Sequence, residues 1–269
     1  YEGTLDPIFP RRAENIDKAD PVIEETKEIP DFYVHTNVAR PRVFIPTMPG
    51  NNCEVDSARA FERAGAVSDI FIFRNRDSAE LKASVDEMAE RISHAQIVMF
   101  PGGFSAGDEP DGSGKFIAAV FRNEKLKEAM EQLLHTRDGL ALGICNGFQA
   151  LIKLGLVPYG EFKPLTDTAP TLTFNTIGRH LSRFVTTKVV STKSPWLSLC
   201  KPGDLYSIDI SHGEGRFVCN DGLLQQLINN GQVATQYVDL NCVPTMDMRY
   251  NPNGSVLAIE GITSPDGRV

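Results

Sequence analysis

From Arg42 onward, short apolar runs alternate with longer stretches in which apolar residues recur every three or four positions. The segment "RVFIPTMPG" reads as a strand running into a Pro/Gly turn, and "NCEVDSARAFERAGA" as a helix with Val55, Ala58 and Phe61 on one face and Gly65 as its stop. "SDIFIFRN" predicts a second strand and "SAELKASVDEMAERISHA" a second helix. "QIVMFPGGFS" predicts a third strand, ending in Pro101-Gly102-Gly103. "FIAAVFRNEKLKEAMEQLLHTR" reads as one long helix leading into the short strand Leu140-Ala141-Leu142. Phe148, Leu151, Ile152 and Leu154 to Leu156 then resume helical spacing. Strands alternating with helices over a hundred residues predict βαβ units around a parallel sheet. After about residue 160 the pattern shifts to shorter β-like segments, "TLTFNTIG", "SRFVTTKVV", "LYSIDISHGEG", "QVATQYV" and "SVLAIEGITS". These are expected to extend the sheet and cover one edge. Residues 1–40 mix prolines, acids and bases without a sustained apolar period, and read as a linker or an arm lying on another surface.

Composition narrows the class. Of 269 residues, 41% are hydrophobic and 23% charged, which is ordinary for a globular protein. The net charge of −8, with no long basic run to offset it, argues against a nucleic-acid surface. No apolar run approaches a membrane span, and the first residues lack the apolar core of a signal peptide. The five cysteines are widely spaced with no C-x-x-C pair, which fits a reducing cytosol and neither a disulfide framework nor a zinc site. The chain opens on Tyr1 and not on methionine, so it reads as a piece of a larger protein.

The chemistry centres on Gly143-Ile144-Cys145-Asn146-Gly147. A free cysteine is most often a small buried hydrophobe. This one sits on a strand-to-helix turn in the G-x-S-x-G pattern, with sulfur in place of oxygen. The free N–H groups and positive end of the following helix favour a thiolate there. A thiolate attacking an acyl carbon creates an oxyanion, for which the N–H after the nucleophile, that of Asn146, is one donor candidate. A neighbouring strand-to-helix loop usually supplies the second, and Gly102-Gly103 fits that role. The Gly-rich segment lacks a Lys-Ser/Thr ending, so it is not a phosphate-binding P-loop. A catalytic thiol also needs a base. His94 and His135 fall on amphipathic helices, His35 in the arm, and His180 beside two arginines, whereas His212 ends a strand-like segment two residues from Glu214. From the residues alone, Cys145, His212 and Glu214 form a candidate triad.

The segments "PGGFSAGD" and "GICNGFQAL" resemble the class I (triad-type) glutamine amidotransferase domains. "PGNNCEVDSARAFERAGA", "TFNTIGRHLSRF", "SHGEGRF" and "YNPNGSVLAIEGITSPDGRV" look like a purine-biosynthetic branch of that family, and the likeness runs from about residue 41 to 269. The resemblance implies a flavodoxin-like, open, mostly parallel sheet with helices on both faces. It implies Cys145 as nucleophile, an oxyanion site at the backbone of Gly102, Gly103 and Asn146, and Gln149 helping to hold the bound glutamine. Ser211, His212, Gly213 and Glu214 would form the loop whose backbone meets the substrate's amino-acid end. The family's catalytic histidine and glutamate come from a later H-x-E motif, expected beyond Val269, so the resemblance moves His212 and Glu214 from the triad to substrate binding.

The implied partners are glutamine and a large ATP-using synthetase part, to which residues 1–40 would be the linker, with no nucleic acid and no membrane. ATP and magnesium belong to that synthetase part, and no cofactor or metal is expected in this domain. Ammonia would pass to an ATP-activated formylglycinamide ribonucleotide in the cytoplasm. Two alternatives remain at this point: an inactive amidotransferase-like docking module, and a related cysteine hydrolase of the same fold. Gln149 discriminates against the latter, because a glutamine-specific site needs polar contacts to the amino-acid end.

Overall fold

A computed structural model describes residues 39–107 and 114–269. The expected arm thus lies outside the described residues except for its last two positions, as do residues 108–113. The described residues fall into two compact units, one of residues 39–167 with 264–269 and the other of residues 168–263.

The first unit is built on four parallel strands, β1 (Arg42–Thr47), β2 (Val67–Ile72), β3 (Ile97–Phe100) and β4 (Leu140–Gly143), in the order β2-β1-β3-β4. Between and after them come α1 (Glu54–Arg63), α2 (Ser78–His94), α3 (Lys115–Phe121), α4 (Glu124–Glu131), α5 (Asn146–Leu154) and a single turn, α6 (Leu156–Tyr159). Successive side chains of a strand point to opposite faces, and here both faces are covered. Val43, Ile45 and Met99 pack with Ala58 of α1 on one side. On the other, Phe100 packs at a tilt against Phe121 of α3 with ring centroids 4.8 Å apart. Continuous apolar runs such as Val43-Phe44-Ile45, fully buried, follow from that two-sided cover. The fold is the expected open parallel sheet with helices on both faces.

Local signals account for the helix ends. Gly65, at φ +94°, closes α1: its N–H bonds the Glu62 carbonyl at 2.9 Å, and the Ala66 N–H bonds that of Phe61 at 3.0 Å. This is the Schellman pair that a left-handed glycine permits. Asp77 caps α2, accepting from the N–H groups of Ala79 and Glu80. The single long helix expected before β4 is instead broken. Asn123 has extended backbone angles and its side chain accepts from the Lys125 N–H, so it starts α4 afresh. A short polar side chain competing for backbone partners outweighed an otherwise helical apolar spacing. Residues 264–269 return to β4, where the Ala141 N–H bonds the Arg268 carbonyl at 3.0 Å and the Arg268 guanidinium meets the Asp138 carboxylate at 2.9 Å.

The second unit contains β5 (Thr171–Thr173), β6 (Leu181–Val189), β7 (Leu205–His212), β8 (Arg216–Val218), α7 (Asp221–Asn229), β9 (Val233–Tyr237) and β10 (Ile259–Ile262). Every expected late strand forms, but among the described residues none extends the parallel sheet. They make an antiparallel sheet in the order β10-β9-β6-β7 and a separate β5-β8 pair. Joining a parallel sheet requires a crossover of a dozen or more residues, usually a helix, whereas antiparallel neighbours need only a loop. The alternation of buried Val185, Thr187 and Val189 with more exposed neighbours along β6 marks a strand covered on one face. Val185, Ile210, Tyr237 and Ala258 form the core of this unit.

Candidate active site

The turn between β4 and α5 places Cys145 at φ +53° and ψ −111°, a conformation that non-glycine residues rarely adopt. Holding it costs of order 1–3 kcal/mol and needs surroundings that fix it. Those surroundings are backbone bonds: Ile144 N–H to the Phe100 carbonyl at 3.2 Å, Gly147 N–H to the Ile144 carbonyl at 2.9 Å, and Gln149 N–H to the Cys145 carbonyl at 3.0 Å. The two flanking glycines are dictated by space. A Cβ on Gly147 would lie 2.0 Å from the Phe100 oxygen, and one on Gly143 would lie 2.5 Å from Leu151 Cδ1. The elbow read from the sequence is therefore a strained cysteine wedged between two close backbone approaches.

Two further loops meet this turn. Residues 48–53, after β1, and 101–107, after β3, are zipped together by Asn52 N–H to the Gly102 carbonyl at 3.4 Å and Phe104 N–H to the Gly50 carbonyl at 2.9 Å. The zipper uses the N–H groups of Asn52 and Phe104 and not that of Gly103. Gly103, at φ +128°, is the residue only glycine can be: a Cβ there would lie 2.6 Å from Asn51 Cα. Gly102 borders the elbow itself, its would-be Cβ position 3.4 Å from Cys145 Cβ.

Asn146 is 1% exposed and ties the loops to the elbow. Its Oδ1 accepts from the Ser105 N–H at 3.3 Å and from Asn51 Nδ2 at 3.4 Å, while its Nδ2 donates to Gln149 Oε1 at 3.2 Å. Asn51 adds a bond from Nδ2 to the Gly102 carbonyl at 3.2 Å, and its Oδ1 accepts from the Met48 N–H at 2.8 Å. The structure thus brings Gly102, Gly103, Cys145, Asn146 and Gln149 into one network within one unit. Sequence reasoning places Asn51 in a suggestive strand end, Pro49 to Cys53, but gives it no role of its own; the doubled asparagine of "PGNN" was the available signal.

Ser211, His212, Gly213 and Glu214 lie in the other unit, where β7 turns toward β8. The organiser of that turn is Asn175, 2% exposed and also missed. Its Nδ2 donates to the His212 carbonyl at 2.8 Å, its Oδ1 accepts from the Gly215 N–H at 3.1 Å, and its backbone N–H bonds the Gly213 carbonyl at 2.9 Å. Asn253 Nδ2 holds the Gly215 carbonyl at 2.9 Å from the other side. His180 Nε2 and Ser211 Oγ are 2.9 Å apart across the β6–β7 pair. Burial pushes the His212 imidazole down to about 4, with His180 acting in the same direction, so the ring is neutral at pH 7. Its Nδ1 is buried without a hydrogen-bond partner, so Glu214 does not orient the ring through that nitrogen. His94 and His135 are exposed, as expected for helical histidines.

Asn175→Ala should cost about 1–3 kcal/mol of stability, because it strands the His212 carbonyl and the Gly215 N–H inside the turn. A urea midpoint unchanged from wild type would show that the turn holds without this side chain.

Among the described residues, no group of three or more histidine, cysteine, aspartate or glutamate side chains is arranged to hold a metal ion. No described helix is long and apolar enough to cross a membrane.

The CobB/CobQ-like glutamine amidotransferase domain matches residues 40–269. The phosphoribosylformylglycinamidine synthase subunit PurQ of Methanococcus maripaludis strain C7 is 35% identical over 236 residues, covering 85% of this chain and 79% of its own. The same-named subunit of Treponema denticola is 33% identical over 243 residues, covering 86% and 85%. Among solved structures, that of PurLQS from Thermotoga maritima superposes with a TM-score of 0.60 at 25% identity, covering 86% of this chain and 84% of that one.

Proposed function

The chain belongs to the CobB/CobQ-like glutamine amidotransferase domain family, and on that premise we propose that Cys145 is the nucleophile of a glutaminase serving a phosphoribosylformylglycinamidine synthase of purine biosynthesis. The observation that carries the assignment of the nucleophile is the elbow: a strained cysteine at the N-terminus of α5, enclosed by glycines that a side chain could not replace. Its thiolate attacks the side-chain amide carbon of glutamine. The resulting oxyanion is held by the N–H groups of Gly103 and Asn146. Collapse of the tetrahedral adduct expels ammonia and leaves a glutamyl thioester, which water cleaves to glutamate and free thiol.

Gly102 and Asn51 position the Gly103 peptide, and Asn146 positions Gln149, which contributes to holding the glutamine. The Ser211–Glu214 turn supplies backbone contacts to the substrate's amino-acid end. Its fixation by Asn175 and Asn253 supports a role in which backbone geometry matters. The neutral His212, whose Nδ1 accepts from or donates to no partner, supports a place in binding and not as the base.

The ammonia is consumed by a synthetase partner, as the names of the relatives and of the solved assembly suggest. We place ATP and magnesium in that partner and the reaction in the cytoplasm. The relatives' shared name weighs against a docking module without chemistry.

Exposure to a chloroketone analogue of glutamine, followed by peptide mass spectrometry, tests the assignment. One adduct on Cys145, suppressed by glutamine, is the expected result; an untouched Cys145 would overturn it. Gln149→Leu keeps similar bulk but removes polar contacts, so the KM for glutamine should rise by the equivalent of about 1–3 kcal/mol. An unchanged KM would remove Gln149 from the site.

A further inference from the structure

A second thiol borders the elbow. A Cβ built on Gly102 would lie 3.2 Å from Cys53 Sγ and 3.4 Å from Cys145 Cβ, so both cysteines flank the same point and only a glycine hydrogen stands there. Cys53 is the residue just before α1, at the end of the zippered 48–53 loop, and both cysteines are partly exposed. Cys200, Cys219 and Cys242 belong to the other unit. The catalytic reading gives Cys53 no task.

We propose that Cys53 is a resolving thiol, which converts a peroxide-oxidised Cys145 into a reversible Cys53–Cys145 disulfide. The proposal rests on Cys145 being the nucleophile. A hydroperoxide is the oxidant. The Cys145 thiolate attacks its distal oxygen, the O–O bond breaks, and the sulfur becomes a sulfenic acid while the peroxide is reduced to alcohol or water. Cys53 sulfur then attacks the Cys145 sulfur. The S–S bond forms, the S–O bond breaks, and the departing hydroxide leaves as water with the Cys53 proton.

Burial pushes the Cys53 thiol up, and the neighbouring Cys145, Asp56 and Glu54 push it the same way, so Cys53 carries that proton in the resting enzyme. A disulfide needs Cβ atoms about 3.5–4.5 Å apart. Closure therefore draws Cys53 across Gly102, which puts no side chain of its own in the way. The bond would take the nucleophile out of reach of glutamine, and it would also protect Cys145 from irreversible oxidation to the sulfinic acid.

The test treats the whole chain with hydrogen peroxide, blocks free thiols, and maps non-reduced peptides by mass spectrometry. Chloroketone labelling of Cys145 is scored before oxidation, after oxidation, and after a dithiol. Wild type should show a Cys53–Cys145 cross-linked peptide, lose labelling on oxidation and regain nearly all of it with the dithiol. Cys53→Ser should instead accumulate Cys145 sulfinic acid and recover at least tenfold less labelling. A Cys145 that labels normally but oxidises to the sulfinic acid in wild type, or pairs with another cysteine, overturns the proposal and leaves the glutaminase reading intact. Failure of the unoxidised protein to label at Cys145 defeats both.

Discussion

Cys145→Ala, placed in the complete synthase, abolishes glutamine-dependent synthesis and leaves synthesis from added ammonium salts close to wild type. The asymmetry follows from where the thiolate acts: it forms and breaks only the bond to glutamine's acyl carbon, and free ammonia bypasses that step. Without a nucleophile the residual rate reflects only binding and oxyanion stabilisation, so a drop of a thousandfold or more in glutamine-dependent kcat is expected. The substitution also relieves no crowding and empties no large volume, because Cys145 sits partly exposed on the turn. Stability should therefore stay near wild type, and thermal unfolding measured beside activity separates the chemical loss from a structural one. An equal fall in the glutamine- and ammonia-dependent rates would mean that Cys145 maintains the structure and does not perform the reaction.

Gly147→Ala is the second large effect, and it strikes structure and chemistry together. In an ordinary helix this exchange is mildly stabilising, since alanine loses less backbone freedom. Here the new methyl would stand 2.0 Å from the Phe100 carbonyl oxygen and 2.7 Å from Phe100 Cβ. Backbone cannot yield as a flexible side chain does, so α5 must move off β3. Overpacking of this kind costs about 1–3 kcal/mol and sometimes more. The same shift would stretch the bond from Ile144 N–H to the Phe100 carbonyl that holds the elbow. Glutaminase activity should fall at least a hundredfold even in the fraction that folds, because displacements near 1 Å at a reacting group cost that much. A variant with wild-type kcat would show that the close approach of α5 to β3 is dispensable for aligning the thiol.

The parallel half of the fold was legible because its signals are local. Val43-Phe44-Ile45 and Leu140-Ala141-Leu142 are too apolar and too short for anything but buried strands, and Gly65 announces the end of α1 by its handedness. The elbow was legible for the same reason, since Gly143, Cys145 and Gly147 are neighbours in sequence as well as in space. What escaped were choices made by distant partners. Asn123 breaks a helix through a capping bond that periodicity does not register. The late strands were recognised individually, but which strand each takes as neighbour depends on the connections between them, and the spacing of apolar residues along one strand does not name its partner. Asn175 and Asn253 went unremarked, and Asn51 received no role of its own, because an asparagine looks like a loop residue until the carbonyls and N–H groups it satisfies are known. Those lie up to 95 positions away, as with Asn51 and Asn146. The pair His212 and Glu214 shows the reverse error: proximity in sequence suggested a base and its orienter, yet Nδ1 meets no carboxylate.

The bond from Ala141 to Arg268 has a consequence for solubility. Among the described residues β4 is one of the two edge strands of the parallel sheet, and its outer rim would otherwise offer unpaired amide groups to any passing chain. Natural proteins blunt such rims, because an apolar strand with open hydrogen-bonding groups templates intermolecular association. Residues 264–269 meet it at Ala141, with Ser264 N–H bonding the Val269 carbonyl at 3.0 Å to close the segment on itself and the Arg268 side chain anchored on Asp138. The six residues act as a selvedge, finishing the border of the sheet so that it does not knit onto its neighbours. They guard the very strand that delivers Cys145, so losing their contact with Ala141 and Asp138 would expose an aggregation-prone rim and loosen the turn that carries Cys145 in one event.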